Sequence, residues 1–247
     1  MPEGPDHDWK CNMGCYTLAK DTRKAVPHCP MKFRYIRHRL TTPAPRILDI
    51  GCGNRSPSLT KKWFPASHYS GADIQRYNLN DADLAAMDQF YPIAVDGAGY
   101  DQIPEAAYDL VILNHVIEHM VDPAAIVAKL CGKLKPGGYI WIAFPSLRSL
   151  SLPHSVDETL NFCDDPTHVY LPAVREIANV LLKNGVGIVH AGRSREGFLT
   201  SLVDCFKLIK RVVIRTCTGK FSGRGLWYVL GFEDHVLGRR SEKEFGR

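Results

Sequence analysis

Apolar and polar positions follow two alternating periods from Arg46 onward. Short runs rich in Ile, Val and Leu, typical of buried strands, are separated by stretches with apolar residues at helical spacing. The predicted strands are residues 46–50, 69–74, 91–96, 108–114, 139–144 and 186–192. The predicted helices are residues 57–64, 121–134 and 171–185. Strands that alternate with helices predict an α/β fold, with a mostly parallel sheet covered on both faces.

Capping residues support the helix boundaries. Asp122 and Pro123 suit the N-cap and first position of the helix over 121–134, and Pro57 is tolerated in the first turn of its helix. The run "KPGG" at 135–138 ends one helix, and Gly185 ends another.

Residues 1–45 depart from the alternating pattern, and we interpret them as a basic N-terminal extension. They contain six prolines and carry eight Lys or Arg residues against four Asp or Glu residues. The stretch 31–40, "MKFRYIRHRL", predicts a short basic helix. A solvated face is the expected explanation of its charges. The alternatives are a helix that covers a substrate cleft or one that contacts an anionic partner.

Residues 193–222 form a second departure, an insertion between the last two predicted strands. Within it, residues 198–216 place apolar side chains at helical spacing and basic side chains on the other side. We expect the apolar stripe to dock onto the core, which is the usual role of such a stripe. The alternative is peripheral contact with an anionic membrane. Residues 223–236 then predict a returning strand.

Composition and charge are those of an ordinary globular protein. Of 247 residues, 45% are hydrophobic and 23% are charged, and the net charge of +5 does not call for nucleic acid. No run approaches the roughly 18 apolar residues of a membrane span. The first residues contain no apolar segment typical of a secretory signal, so we expect a cytoplasmic protein with reduced thiols.

The early cysteines raise the question of a metal site. Cys11, Cys15 and Cys29, with His28 beside the last, could hold a metal, but their spacing is not a standard zinc pattern. We therefore expect no metal here.

A glycine turn follows the first predicted strand, where open α/β sheets bind their ligands. It consists of Asp49-Ile50-Gly51-Cys52-Gly53. A dinucleotide fingerprint would place a third glycine at position 56, but this chain has Ser56. The sequence therefore disfavours NAD.

The turn and the later strand ends together resemble the class I S-adenosylmethionine-dependent methyltransferases of the small-molecule branch. The resemblance extends over roughly 150 residues, to about Gly192, and includes "YDLVILNHVIEHM" and "LKPGGYIWIAFP". It implies a Rossmann-like, doubly wound, seven-stranded sheet with an antiparallel final strand and S-adenosylmethionine as the cofactor. It also implies contacts to the methionine end, the ribose and the adenine. The implied cofactor-binding residues are Asp49, Gly51, Cys52, Gly53, Asp73, Ile74, Asp96, Gly97, Asn114 and His115.

The segment after the fourth strand bears on the acceptor. It has neither the Pro-Pro-aromatic motif of exocyclic base methylation nor the cysteine nucleophile of the cytosine C5 enzymes, so we expect no DNA substrate. It resembles the quinone-precursor O-methyltransferases, some of which hold a divalent metal here with acids and a histidine. His115, Glu118 and His119 could form a comparable cluster, but the metal-using pattern has an acid at position 115. We expect no metal, and we expect Glu118 and His119 to shape the pocket or His119 to act as a general base.

Residues 145–171 are long for a connection, which indicates a functional cleft wall. His168 is a candidate to lie beside the acceptor, and His154 is a weaker one. Alternatively, Asp165 and Thr167 cap the next helix and His168 packs over it.

These observations predict a methyltransferase that uses S-adenosylmethionine to methylate a small-molecule or lipid- or sugar-linked acceptor at oxygen. The fold hosts many acceptors, so the acceptor class rests on resemblance. One alternative is an RNA or protein methyltransferase. Another is a regulatory protein that binds the cofactor without turnover.

Overall fold

A computed structural model describes residues 29–196 and 198–242, with the side chains of residues 198–200 not described. These residues form one seven-stranded sheet. Its strands are β1 (Arg46–Ile50), β2 (His68–Asp73), β3 (Gln89–Pro92), β4 (Tyr108–Asn114), β5 (Leu134–Pro145), β6 (Val186–Arg193) and β7 (Glu233–Arg240).

Seven α-helices accompany the strands within the described residues. They are α1 (Met31–Ile36), α2 (Ser56–Trp63), α3 (Asp81–Ala86), α4 (Pro123–Lys133), α5 (Val174–Lys183), α6 (Phe198–Thr218) and α7 (Trp227–Leu230). Short 3-10 turns lie at Tyr100–Gln102, Ile117–His119, Leu147–Ser151 and Phe162–Asp164.

The sheet has the strand order β3-β2-β1-β4-β5-β7-β6. The pairings from β3 to β5 are parallel, and β7 is antiparallel to both of its neighbours. The predicted fold class is therefore confirmed, including the antiparallel final strand. That strand lies between β5 and β6, one position in from the sheet edge.

Two apolar clusters cover the two faces of the sheet, as expected for strands buried on both sides. Along β4, Val111 and Leu113 pack with α4 and α5, whereas Leu110 and Ile112 pack with α1 and α2. Successive side chains of a strand point to opposite faces, so the continuous apolar run of β4 supplies both clusters.

The third strand is shorter than predicted and starts earlier. It covers Gln89–Pro92 rather than 91–96, and Pro92 pairs with Asp73. The chain then leaves the sheet in a turn in which Gly97, at φ +92°, donates its N–H to the carbonyl of Ala94. Asp96 is consequently on a turn and not at a strand end, because β3 has no pairing partner beyond Pro92.

The predicted strand over 223–236 is partly wrong. Residues Trp227–Leu230 form the helix α7, and the strand covers Glu233–Arg240. Gly231, at φ +74°, ends the helix by donating its N–H to the carbonyl of Trp227, a left-handed C-terminal cap that favours glycine. The sequence prediction missed this cap and extended the strand across it.

The basic segment 31–40 is part of the core. Its helix α1 buries Met31, Phe33 and Ile36 against the sheet, and even Lys32 is only 8% exposed. The prediction of a solvated basic face is therefore wrong for Lys32. The folded domain includes residues N-terminal to the boundary predicted at Arg46, because Cys29 belongs to the same apolar cluster.

The predicted docking of α6 onto the core through its apolar stripe is wrong. Phe206 is 66% exposed and Ile209 is 62% exposed, whereas Asp204, a charged residue, is buried. Among the described residues, no helix is both long and apolar enough to cross a bilayer.

Candidate cofactor and acceptor site

A cleft of about 970 Å³ opens where β1, β2 and β4 end. Parallel strands place their carboxyl ends at one edge of a sheet, so residues distant in sequence converge there. Eight predicted site residues line this cleft, namely Asp49, Gly51, Gly53, Asp73, Ile74, Asn114, His115 and His119.

The glycine turn is packed too closely for larger residues. Gly51 has φ +72°, and a Cβ built there would lie 2.4 Å from Cγ2 of Val116. A Cβ on Gly53 would lie 3.0 Å from the carbonyl oxygen of Tyr77. Both glycines thus expose backbone to the cleft where a side chain would not fit.

Asp49 fixes the turn from beneath. Its side chain is buried, and its Oδ2 accepts hydrogen bonds from Ser56 Oγ at 2.5 Å and Tyr69 Oη at 2.9 Å. The ammonium of Lys32 lies 3.7 Å from the same oxygen and donates to Ser56 Oγ at 3.0 Å. Position 56, where a dinucleotide fold needs glycine, therefore carries a hydroxyl that links α1 to the turn.

Cys52 points away from the cleft. It is fully buried, and a Cβ on Gly71 of β2 would lie 2.6 Å from its sulfur. Burial raises the pKa of this thiol to about 12, with the charge of Asp49 adding to the effect. Only the backbone of this predicted site residue is near the cleft, and the side chain packs into the core.

Asp73 ends β2 at the cleft. Burial raises the pKa of its carboxyl group from the ordinary value, and hydrogen bonds from backbone N–H groups oppose that effect. Its Oδ1 accepts from the N–H of Ile74 at 2.8 Å. Ile74 itself is 64% exposed, so an apolar surface lies next to a carboxylate that can accept two hydroxyl groups.

The predicted adenine contact lies elsewhere. Asp96 and Gly97 are not in the cleft lining, and Asp96 Oδ1 instead accepts from the N–H of Ala98 at 3.0 Å. The preceding residues Ile93–Val95 line the cleft in their place. Because β3 ends at Pro92, the residues that directly follow the strand line the cleft, and Asp96 comes after them.

His115 lies at the end of β4 with φ +56°, an uncommon value for a non-glycine residue. Its Nε2 is 2.8 Å from Glu233 Oε2, and its Nδ1 is 3.3 Å from Glu118 Oε1. Burial by itself lowers the pKa of His115, but the two carboxylates outweigh it and raise the pKa to about 10. The ring is thus an imidazolium held between two acids.

Glu118 does not reach the cleft. It is fully buried, its backbone carbonyl accepts from the N–H groups of Val169 and Tyr170, and both carboxylate oxygens lack a hydrogen-bond partner. Its ion pair is with His115. The backbone carbonyl of Glu118 therefore connects this turn to the loop that forms the cleft wall.

His119 faces the cleft beside that wall. Its Nδ1 lies 3.2 Å from the carbonyl oxygen of Thr167, which can only accept a hydrogen bond, and 3.0 Å from the Thr167 hydroxyl. A neutral ring therefore carries its proton on Nδ1 and a free lone pair on Nε2.

His168 packs behind His119, with 4.9 Å between the ring centroids. Its Nδ1 lies 2.7 Å from the carbonyl oxygen of Phe162, and the residue is not part of the cleft lining. Ligand atoms of Glu118, His119 and His168 all lie within 4.8 Å of one another, so the three side chains could hold a cation. The weaker candidate, His154, has a 74% exposed side chain bound to Asp164.

The cleft residues that the sequence interpretation missed include three from segments it assigned to other roles. Lys32 reaches the glycine turn from α1, and Trp227 and Tyr228 come from α7. The lysine was assigned to a solvated face, and the two aromatic residues were assigned to a strand. A local pattern contains no signal that these segments fold over the ends of β1 and β4.

The residues present fit S-adenosylmethionine. The glycine turn admits close approach of an amino acid moiety, Lys32 supplies a cation beside it, and Asp73 supplies two acceptor oxygens for ribose hydroxyls. The exposed Ile74 and the apolar segment Ile93–Val95 offer surface to a flat base. Fold and site together define an S-adenosylmethionine-dependent methyltransferase.

Comparison with known proteins agrees. A family model described as a methyltransferase domain matches residues 27–191, and this chain belongs to that family. A ubiquinone biosynthesis O-methyltransferase from Hydrogenovibrio crunogenus is 28% identical over 177 residues, which cover 64% of this chain and 71% of the relative. One from Marinobacter nauticus is 25% identical, over 59% of this chain and 64% of its own length.

Solved structures share the fold. An S-adenosylmethionine-dependent methyltransferase from Mesorhizobium loti superposes with a TM-score of 0.59 at 15% identity, over 85% of this chain and 98% of its own. Another from Archaeoglobus fulgidus superposes with a TM-score of 0.55 at 19% identity, over 85% of this chain and 91% of its own.

Proposed function

We propose that this protein transfers the methyl group of S-adenosylmethionine to a phenolic hydroxyl of a small molecule, with His119 as the general base. The observation that carries the proposal is the free Nε2 of His119 in the same cleft as the glycine turn. The relatives named as O-methyltransferases of ubiquinone biosynthesis support the choice of oxygen.

The proposed cofactor residues form two groups. One group contacts the methionine portion of S-adenosylmethionine, and the other contacts its ribose and adenine. Gly51 and Gly53 approach the methionine portion, and Lys32 neutralises its carboxylate. Asp73 accepts the ribose hydroxyls, and Ile74 with Ile93–Val95 flanks the adenine. Asp49, Cys52, Asp96 and Gly97 act through the backbone and the fold rather than through side-chain contact.

The chemistry requires a base because a phenol has a pKa near 10 and is mostly protonated at neutral pH. The bound cofactor supplies a methyl group that is already activated by a positive sulfur. His119 Nε2 accepts the phenolic proton as the oxygen attacks, and Thr167 holds the ring in the required tautomer through Nδ1. The wall around the acceptor orients it and excludes water.

That wall suits an apolar aromatic acceptor. Met120, Val169, Trp227 and Tyr228 line the cleft together with His119. Aromatic and apolar side chains bury a ring, and a single imidazole selects its hydroxyl group. These wall residues offer no comparable set of contacts to an extended RNA or protein acceptor.

The test is methyl transfer from labelled S-adenosylmethionine to a panel of phenols and catechols, their deoxy analogues, RNA and peptide. We expect products only from the hydroxylated aromatics. His119→Asn should lower kcat by about 10²- to 10⁴-fold without changing cofactor affinity. The matched control is His154→Asn, which lies outside the cleft lining. Methylation of RNA or peptide, or an unchanged kcat in His119→Asn, would reject the proposal.

A second role for His119 is favoured by one observation. Glu118 is buried, and its carboxylate contacts the His115 ring at 3.3 Å. The Nε2 atoms of His119 and His168 are not engaged by backbone carbonyls, and that of His168 lies 3.9 Å from Asp165 Oδ2. Metal-binding histidines commonly donate their other nitrogen to a carbonyl, as both rings do here. Base catalysis predicts that chelation leaves the rate unchanged. A rate lost with EDTA and restored by a divalent cation would assign the three side chains to a metal.

A further inference from the structure

The long helix α6 is amphipathic, but its polar face is turned toward the domain and its apolar face toward solvent. Its inward face carries Ser201, Asp204, Leu208, Arg211 and Arg215, of which only Leu208 is apolar. Its outward face carries a row of exposed apolar side chains, namely Leu202, Val203, Phe206, Ile209, Val213 and Ile214. Helical periodicity separates the two sets, because 202, 206, 209 and 213 recur on one face.

Polar contacts fix the helix in this orientation. Arg211 donates to the backbone carbonyl of Ser222 at 2.9 Å and also to that of Arg224. Asp204 is 5% exposed and pairs with Lys207 at 2.7 Å. The guanidinium of Arg215 lies 5.9 Å from the ring centroid of Phe221. The pair of Asp204 and Lys207 lies within the helix, so rotation that buried the apolar row would break the contacts of Arg211 and Arg215 with the segment beyond the helix.

The helix is attached to the cleft wall. Leu208 packs against a small apolar cluster that contains Phe221, Leu226 and Phe232, and Trp227 packs against the same cluster. Trp227 also lines the cleft. The outward apolar row is therefore carried on a helix that packs against the domain rather than on an isolated arm.

The charges around the row identify its partner. Lys210 is exposed on one flank, beside Lys207, whose ammonium is paired with Asp204. Lys220 and Arg224 are exposed just beyond the helix. The only carboxylate on the described part of α6 is Asp204, which faces inward. A second copy of this face would oppose lysines with lysines, whereas an anionic phospholipid surface satisfies both the apolar row and the cations.

We propose that α6 lies in the headgroup region of an anionic membrane, with Phe206 and Ile209 inserted and with Lys210 against lipid phosphates. This contact concerns location at a surface and does not depend on which acceptor the cleft methylates.

The test is co-sedimentation of the full chain with vesicles of phosphatidylcholine alone and of equimolar phosphatidylcholine and phosphatidylglycerol. We expect binding to the anionic vesicles only, and Phe206→Ser with Ile209→Ser should weaken it by about tenfold or more. Lys210→Glu should weaken it and flatten its salt dependence. The matched controls are Leu182→Ser on α5 and Lys62→Glu on α2, both exposed.

Circular dichroism and cofactor affinity confirm that each variant is folded. The proposal is overturned by the absence of sedimentation with either vesicle, or by equal binding to both. It is also overturned if the α6 variants and the controls behave alike. A stable dimer in light scattering that Phe206→Ser dissociates would assign the apolar row to a second copy of the chain.

Discussion

Nε2 of His115 lies 2.8 Å from Oε2 of Glu233, which joins the end of β4 to the start of β7 across 118 positions of sequence. The side chains are 16% and 3% exposed, so the pair is shielded from solvent. It holds together two elements that frame the cleft, because His115 also contacts Glu118 and its ring packs on Trp227.

Removal of one carboxylate from this group should destabilise the fold. Glu233→Gln leaves the buried imidazolium with only Glu118, and we expect the free energy of unfolding to fall by about 2–4 kcal/mol. Urea denaturation of the two proteins measures this difference. The control, Glu242→Gln, breaks an exposed ion pair with Arg239 and should change stability by less than about 1 kcal/mol. Equal losses of unfolding free energy in Glu233→Gln and Glu242→Gln would contradict the prediction that burial makes the His115–Glu233 pair more stabilising than an exposed pair.

Gly51 is expected to tolerate no side chain. Gly51→Ala adds a Cβ at 2.4 Å from Val116 and strains a residue at φ +72°, so both stability and cofactor affinity should fall. Gly185→Ala is the matched control because Gly185 has φ +74° with nothing within 4 Å of its Cβ position. The control should lose only the cost of a left-handed backbone for alanine, about 1–2 kcal/mol. Thermal unfolding and calorimetric titration separate the two effects, and an equal loss would contradict the steric explanation.

Asp73 should determine cofactor affinity. Asp73→Asn keeps the side-chain shape but replaces one acceptor oxygen with a donor group, and we expect affinity for S-adenosylhomocysteine to fall by about tenfold or more, or 1.4 kcal/mol. Calorimetry measures the change. Asp101→Asn, with an 86% exposed side chain, is the control and should bind as the native chain does. Unchanged affinity in Asp73→Asn would remove Asp73 from the cofactor site.

The buried His235 should make the fold sensitive to acid. Its ring stacks on Trp141 and lies 2.9 Å from His190, and burial followed by the charge of His190 lowers its pKa from 6.5 to about 4. The unfolded chain therefore binds a proton that the folded chain does not, and the free energy of unfolding should decline as pH falls from 6.5 to 4.

The variant His235→Phe keeps an aromatic ring at this position and removes the titrating group. Its unfolding free energy should start lower, because Ser194 and His190 lose a partner, but should fall less steeply over that interval. Denaturation curves at several pH values test the slope. The exposed His68→Phe should keep the native slope, and a native slope in His235→Phe would assign the acid sensitivity to other groups.

The local sequence pattern was sufficient to predict an element and its bounds where burial and periodicity agree. The strand predicted over 108–114 has the observed bounds of β4, because its apolar run Leu110–Leu113 is buried on both faces and is flanked by the partly buried polar residues Asp109 and Asn114. The helix start at Asp122 and Pro123 was also predicted, since a side-chain cap depends on neighbouring residues alone, and Asp122 accepts the N–H of Ala125 at 2.9 Å. The sequence by itself thus determined the fold class and the place of the glycine turn.

Tertiary structure alone decided which surfaces face inward. Lys32 belongs to a basic run, yet the packing of Phe33 and Ile36 places it beside Asp49, 17 positions away. Phe206 belongs to an apolar row, yet that row faces solvent while Arg211 on the other side of the helix binds the carbonyls of Ser222 and Arg224. A sequence pattern states only that a segment has two unlike faces. Which face is buried depends on the contacts available from distant strands and loops, and those exist only after the chain has folded.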